Sequence, residues 1–316
     1  MSKVGQVVIL LLALSFLYST VAFVGVSIEE GNTVQGGVSR KSNELMEGES
    51  VNIKSPDVIA IQEGDKYNSD TGNVYQPEWL AKELGLFFSP PPCEKNYHRN
   101  AILSKYPIID YASHSISYSG GLSRGILEVV IEINDVPWHF FSTHLSYRLT
   151  DELPFPIPNL EREKQAKEIL DIIRNITGPI VLMGDFNARP ESREIGMITE
   201  EFIDAFAMMG VGDGYTVPAW YAELLGRCGT WLKRRIDYIF VSPGIEVISC
   251  HVVQWANSSD HFPLVATLSY GDTVLKVMTY NIRYGEQRSI LATLGVRGKI
   301  DLTRIADTIR SEDELS

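Results

Sequence analysis

The stretch "LKVMTYNIRYGEQ", residues 275–287, decides how the chain is read. Leu275, Val277 and Met278, with Thr279 and Tyr280, make a β-favouring run that reads as a buried strand, and it gives out into a polar loop at Asn281. Other segments behave in the same way. "PDVIAIQE" (56–63) runs into Glu63, "FSTHL" (141–145) carries His144, and "PIVLMGDFN" (179–187) delivers Asp185 and Asn187. "RRIDYIF" (234–240) holds Asp237, and "SSDHFPL" (258–264) sets Asp260 and His261 just ahead of an apolar run. Polar chemistry that gathers wherever apolar strands stop is the layout of an α/β sandwich whose site lies at one edge of the packed sheets.

The intervening segments supply the rest of such a sandwich. "QPEWLAKELGLFF" (76–88) predicts a helix with Pro77 in its first turn and Trp79, Leu80 and Leu84 on one face. "NLEREKQAKEILDIIRNITGP" (159–179) predicts a second, capped by Asn159 and stopped at Gly178-Pro179, with Ala166, Ile169, Leu170 and Ile173 as its apolar stripe. "ILEVVIEI" (126–133) alternates with period two, and "PWHFFSTHL" (137–145) is its hairpin partner across Asn134-Asp135. "EVISCHVVQW" (246–255) and "FPLVATLSY" (262–270) add further strands. In "DLTRIADTIR" (301–310), Leu302, Ile305, Ala306 and Ile309 line one face of a helix.

At 316 residues, 44% hydrophobic and 22% charged, the chain can bury one large core or two small ones. The formal charge of −12 disfavours a broad basic platform for nucleic acid but leaves room for local basic patches. Arg227, Lys233, Arg234 and Arg235, with Lys95, His98 and Arg99, are candidates for a basic rim. The three cysteines, Cys93, Cys228 and Cys250, are far apart and form no CxxC or His-Cys pattern, which argues against a zinc site. After Lys3, residues 4–28 form an apolar run of about 20 residues or more, long enough to cross a bilayer. Residues 1–26 therefore predict a signal anchor or, with cleavage near Thr20 and Ala22, a secretory signal. Either one places the following domain outside the cytoplasm, anchored to a membrane in the first case and secreted in the second. Residues 27–54 read as a flexible linker and 55–316 as the catalytic domain.

A lone Asp after a strand is commonly a turn or cap residue, and a lone His a satisfied structural one. As a set, carboxylates, amides and histidines without thiolates are the hard-ligand chemistry of metal-assisted phosphoryl transfer. On these motifs, "TYNIR", "PDVIAIQE", "GDFN" and "SDH", residues 56–310 resemble the endonuclease/exonuclease/phosphatase superfamily. That resemblance implies a DNase I-like fold, an α/β four-layer sandwich of two packed, mostly antiparallel sheets flanked by helices. The motif order differs from the family's. There, "TYN" opens the domain, a helix like "DLTRIADTIR" leads into "PDVIALQE", and "SDH" closes it; here "SDHFPLVATLSY" continues through Gly271-Asp272-Thr273 into "TYNIR". The order reads as a circular permutation, with a short hairpin joining the old last and first strands.

The resemblance implies Mg²⁺, with Mn²⁺ as an alternative, held by Glu63 with Asn281 beside it and Asp260 as a further ligand. It implies that Asp185 aligns and deprotonates water, that Asn187 donates to the phosphoryl oxygen, and that His261, oriented by Asp237, binds the scissile phosphate. By the same resemblance His144 is a candidate phosphate contact or leaving-group acid, Asn100 a candidate contact to the phosphate or to the residues that bind it, and Arg124 a candidate substrate contact. Each has a plainer alternative: a salt bridge from Asp237 to Arg234 or Arg235, a turn role for Asp260, a solvated strand-end charge for Arg124. The implied partner is a phosphodiester, nucleic acid favoured, with the membrane engaged through the N-terminal helix and no protein partner. A sphingomyelinase-like lipid phosphodiesterase, an inositol-polyphosphate-type phosphatase and a non-catalytic surface binding module are the rivals. The first of these predicts an apolar hairpin near the cleft, for which "ELPFPIPN" (152–159) is the candidate.

Overall fold

The computed structural model describes residues 55–67, 73–90, 99–118, 124–148, 158–217, 233–256, 258–283 and 301–311. All lie in the unit spanning 52–316. In chain order the strands are β1 (Val58–Gln62), β2 (Phe87–Phe88), β3 (Ala101–Ser104), β4 (Ile108–Ile116), β5 (Arg124–Ile133), β6 (Val136–His144) and β7 (Ile180–Asp185). They continue as β8 (Ile203–Asp204), β9 (Gly210–Val211), β10 (Asp237–Val241), β11 (Glu246–Val252), β12 (Leu264–Tyr270) and β13 (Thr273–Asn281). The helices, numbered along the chain, are α1 (Gln76–Leu84), α2 (Leu160–Ile173), α3 (Arg193–Thr199), α4 (Ala205–Met209) and α5 (Leu302–Arg310).

The strands form one sheet in the order β2-β3-β1-β13-β12-β11-β9 and another in the order β4-β5-β6-β7-β10-β8. Phe140 and Phe141 show how the layers arise. As neighbours on a strand they point to opposite faces, and Phe140 joins the core between the sheets while Phe141 joins the core beneath α2 and α3. The inter-sheet core takes Leu127, Val129, Ile131 and Ile133 from β5, together with Val58 and Ala60 from β1. The far side of the first sheet is covered by α1 and α5 through Leu80, Ile305, Ala306 and Ile309. Helix, sheet, sheet, helix is the expected four-layer sandwich. Each fully buried Ile, Leu or Phe contributes about 1.5–3 kcal/mol of apolar burial.

Most strand pairs are antiparallel, and two of the three parallel ones among the described strands position the site. β1 pairs with β13 in parallel, which sets Gln62 opposite Asn281. β6 pairs with β7 in parallel, which sets His144 opposite Asp185. Parallel neighbours end together, so each sheet delivers two adjacent C-terminal ends to one edge of the sandwich. β10 runs antiparallel to β7 and begins there, with Asp237 opposite Asp185.

Asn159 caps α2 by accepting from the Arg162 N–H at 3.2 Å, and Asn134-Asp135 turns the β5–β6 hairpin with both φ angles positive, at 53° and 61°. Tyr270 pairs with Thr273 across Gly271-Asp272, so β12 and β13 are joined by the expected tight hairpin. The polar edge strand β4 and the short elements β2, β8, β9, α3 and α4 are additions. β4 leaves Asp110, Tyr111 and Ser115 exposed and so lacks the apolar alternation that marks a half-buried strand.

The expected membrane placement needs correction. Among the described residues no helix is long and apolar enough to cross a membrane. The segment 1–26 and the linker 27–54 lie outside the described residues. Anchoring and an extracytoplasmic location therefore have no support among the described residues.

Candidate active site

Seven of the expected residues converge at that edge. Asn281, fully buried at the end of β13, donates from Nδ2 to Glu63 Oε1 at 3.2 Å and to Asp185 Oδ2 at 2.9 Å. Its Oδ1 accepts the Arg283 N–H at 3.1 Å. The carboxamide thus spans a carboxylate from each sheet, and turns its nitrogen rather than its oxygen toward both. Asp185 Oδ1 accepts the Asn187 N–H at 2.9 Å, while His144 Nε2 and His261 Nε2 face Asp185 Oδ2 at 3.5 and 3.8 Å. His261 Nδ1 bonds Asp237 Oδ2 at 2.8 Å, leaving Nε2 as the edge that faces the site. Asn187 donates from Nδ2 to the Leu145 carbonyl at 3.1 Å, which uses one of its two amide protons.

The remaining expected residues stand farther out or are otherwise engaged. Asp260 is turned to Arg283 in an ion pair and is only partly buried. Arg124 stacks over Tyr118, with the guanidinium carbon 5.6 Å from the ring centre. Asn100 is buried and donates to the carbonyls of Gly125 and Ser142 at 3.0 and 3.3 Å, bonds that tie strands together. Asp237 does not pair with Arg235, which binds both oxygens of Asp204 at 2.9 and 2.7 Å and lies 4.7 Å from the Tyr238 ring centre. Arg235 therefore belongs to an internal cluster and not to a basic rim. Arg227, Lys95, His98, Cys93, Cys228 and residues 152–157 of the candidate hairpin lie outside the described residues.

Several residues that build the site were not expected. Gln62 donates to Ser142 Oγ at 3.1 Å and accepts from Thr279 Oγ1 at 3.1 Å, a buried polar bridge between the sheets directly beneath Glu63 and Asn281. Ser259 Oγ donates to the Asn281 carbonyl at 2.7 Å. Thr216 Oγ1 accepts from the N–H groups of Ile236 and Asp237, both at 3.2 Å, and its carbonyl accepts from Phe262 at 2.6 Å. Thr216 thereby holds Asp237 and the His261 loop together. Gln62 had a visible signal, a carboxamide inside an otherwise apolar strand. Ser259 and Thr216 had none, because hydroxyls on loops are ordinary.

Burial and charge set the protonation. Asp185 is pushed up to about 7, chiefly by burial and then by the Asp237 carboxylate, against the opposing pull of His261 and the donors Asn187 and Asn281. Burial alone would lower His261, but the carboxylates of Asp237 and Asp185 outweigh it and raise the ring to about 10. Burial, then Arg124, His261 and Arg99, hold His144 well below its ordinary value. At neutral pH the two histidines therefore differ, His261 charged and His144 neutral.

This constellation agrees with the known proteins that the chain is similar to. The sequence profile of the Endonuclease/Exonuclease/phosphatase family matches residues 43–261, more than half of the chain. The chain belongs to the Endonuclease/Exonuclease/phosphatase family. Among its relatives is the uncharacterized protein YbhP of Escherichia coli K12, 23% identical over 181 residues, which are 55% of this chain and 64% of YbhP. An endonuclease/exonuclease/phosphatase structure from Beutenbergia cavernae superposes with a TM-score of 0.51 at 23% identity, over 68% of this chain and 63% of that one. A family protein from Leptotrichia buccalis gives 0.51 at 22% identity, over 68% of this chain and 88% of its own. At these identities the structural likeness is one of fold. The chain spans just under two thirds of the length of YbhP and of the Beutenbergia protein.

Family members are phosphoesterase-type hydrolases that generally depend on a divalent metal. The donor set here fits such an ion. Asp185, Asp237 and His261 bring ligand-type atoms within 4.8 Å of one another, all buried. Asp237 Oδ1 is buried with no hydrogen-bond partner among the described residues, and Asp185 is raised by burial and then by the neighbouring Asp237 carboxylate. A cation bound near Glu63 and Asp185 would relieve the crowding of carboxylate charge at Asp185. Carboxylate oxygens without thiolate suit a hard divalent cation, and the charged His261 is left as a hydrogen-bond donor.

Proposed function

We propose that this protein is a Mg²⁺-dependent phosphodiesterase that hydrolyses its substrate by in-line attack of water. The observation that carries the reading is the convergence of Asn281, His144 and His261 on one carboxylate oxygen of Asp185, with Glu63 at the adjacent strand end. Glu63 would hold the ion, Asn281 would reach its water shell, and the bound ion would neutralise charge on the phosphoryl oxygens. Asp185, on whose Oδ2 these groups converge, is placed to orient the attacking water and take its proton. The water oxygen bonds to phosphorus as the bond to the leaving oxygen breaks. The second amide proton of Asn187 and the charged Nε2–H of His261 donate to the oxygens on which charge accumulates. Asp237 keeps the His261 ring in that orientation. His144, neutral and facing the same oxygen, serves as a hydrogen-bonding contact and not as the acid. Nucleic acid remains the favoured diester, with Arg124 and Arg99 close enough to His144 to affect its charge.

We further read the chain order as a circular permutation of the family's. In support, the family match ends at residue 261, while β13 lies hydrogen-bonded between β12 and β1 and α5 packs over that sheet. In this reading β13, α5 and β1 would make up a strand–helix–strand unit whose parts lie far apart in the chain.

The test is hydrolysis of bis-p-nitrophenyl phosphate, plasmid DNA and sphingomyelin with Mg²⁺ or Mn²⁺, beside Asp185→Asn. Turnover of the chromogenic diester and nicking of DNA, both lowered about 10²- to 10⁴-fold in the variant, are expected. Cleavage of sphingomyelin alone would replace the nucleic-acid reading with a lipid one. Equal rates for wild type and variant would overturn the assignment of Asp185.

A further inference from the structure

α2 carries an anomaly. Its buried stripe is apolar over the C-terminal half, through Ala166, Ile169, Leu170 and Ile173, but polar over the first two turns, where Arg162 and Gln165 are 4% and 0% exposed. Arg162 Nε bonds Glu194 Oε1 at 2.6 Å, with both side chains almost fully buried, and Glu194 lies in the first turn of α3. A buried ion pair is poor evidence of a stability gain, because desolvating two charges offsets most of their attraction. Its connections suggest another use. Arg162 also donates from Nη1 to the Ser146 carbonyl at 3.2 Å. Gln165 accepts the Ser146 N–H at 3.0 Å and donates to Ser146 Oγ at 2.6 Å, and Ser146 Oγ donates to Glu161 at 2.8 Å.

Ser146 adjoins Leu145, whose N–H donates to the Asp185 carbonyl at 2.9 Å and whose own carbonyl accepts from Asn187 Nδ2. Glu194 follows by a few residues the loop that carries Asn187. The turn after β6 and the loop after β7 are thus held to α2 by the same arginine.

We propose that Arg162, Glu194 and Gln165 are positioning residues, which fix the Leu145–Ser146 turn and through it aim the Asn187 carboxamide. This rests on the proposed role of Asn187 as a donor to the phosphoryl oxygen. Asn187 needs such support because, among the described residues, its carboxamide is anchored at a loop carbonyl, that of Leu145. Displacing reacting or donor groups by about 1 Å can cost about 100-fold in rate.

Two variants of the full chain test it. Arg162→Met with Glu194→Leu replaces the pair by apolar groups, a change that leaves such folds about as stable. Gln165→Met removes two of the bonds to Ser146 without touching a charge. Expected for each is a wild-type unfolding temperature to within a few degrees, kcat on bis-p-nitrophenyl phosphate lowered about 10- to 100-fold with KM nearly unchanged, and faster amide exchange at 145–148 and 187 but not in β7. Unchanged kcat with unchanged exchange in whichever variant folds would reduce the cluster to a packing feature and overturn the proposal. Should wild type not hydrolyse diesters, the functional reading fails by itself; the exchange data still decide whether this cluster holds the turn.

Discussion

The two ends of the sandwich use the left-handed region of backbone space in opposite ways. At the end away from the site, Asn134, Asp135 and Gly271 have φ of 53°, 61° and 56°, and these are residue types that enter this region at little cost. At the site end the same region is occupied by Glu63, Arg99, Asn187 and Arg283, at 57°, 58°, 49° and 42°. Each of these non-glycine conformations costs about 1–3 kcal/mol unless its side chain tolerates it, and Asn187 tolerates it best. Glu63 pays this price at the end of a strand that both flanking partners hold in register, and in return its carboxylate is turned to Asn281. One end is shaped by local turn rules, the other by what the side chains must reach.

The largest effect that would sharpen this contrast belongs to Gly184. Its φ is +150°, and a Cβ there would stand 2.1 Å from the Thr143 carbonyl oxygen. That close approach of β6 and β7 brings His144 opposite Asp185. Gly184→Ala is expected to cost about 3 kcal/mol or more of unfolding free energy in urea, from backbone strain and overpacking together. A loss below about 1 kcal/mol would mean that the strands separate easily and that the site end is softer than argued.

The next effect is electrostatic. In chelator, Asp185 titrates at about 7 in the folded protein, above its ordinary value of 3.8, so the fold binds its proton more tightly than the unfolded chain does. Its contribution is complete below about pH 4 and is lost as pH rises through about 7. His261, raised to about 10, acts in the same direction: its contribution is complete below about 6.5 and lost as pH rises through about 10. Relative to Asp185→Asn, wild type should therefore lose stability between pH 4 and 7. An equal pH profile for the two proteins, followed by thermal unfolding, would contradict the coupling.

A smaller effect compares the ends directly. Glu63→Gly should relieve the left-handed strain and raise stability in chelator by about 1 kcal/mol while removing diesterase activity. Asn134→Gly should change stability by about 0.5 kcal/mol or less and leave activity alone. Destabilisation by Glu63→Gly would show that the carboxylate's bond to Asn281 outweighs its backbone.

What could be read in the sequence follows the same division. Asn134-Asp135, Asn159 and Gly271-Asp272 act on residues within a few positions of themselves, and their turns and cap are where the sequence puts them. The strand-terminal Glu63, His144, Asp185 and Asn281 were legible because a polar residue closing an apolar run is conspicuous. Their partners were not. Gln62 meets Ser142 80 residues away and Thr279 217 away, and Arg162 meets Glu194 across 32. Such pairs are fixed by sheet packing, which no local pattern encodes. Asp237 and Arg235 make the point from the other side, since neighbours in sequence that suggested an ion pair each bond elsewhere.

The smallest effect is expected where the chain is simplest. If β13, α5 and β1 form a unit divided between the domain's ends, the Gly271-Asp272 turn is where the family's order would begin and end. Opening the chain there, and joining residue 311 to residue 55 through a flexible Gly/Ser segment of about 20 residues, restores that order. Both strands keep their partners, since β13 remains paired with β1 and β12 with β11. Loop-closure entropy grows only with the logarithm of length, so the exchange of a tight turn for a long linker should cost about 2 kcal/mol or less. Diesterase activity should persist, because Asn281 lies at the opposite end of β13 from the cut. A reopened chain that fails to fold would contradict the permuted order. Opening the loop between Asp185 and Asn187 is the matched control: it cuts through the site end and should abolish activity.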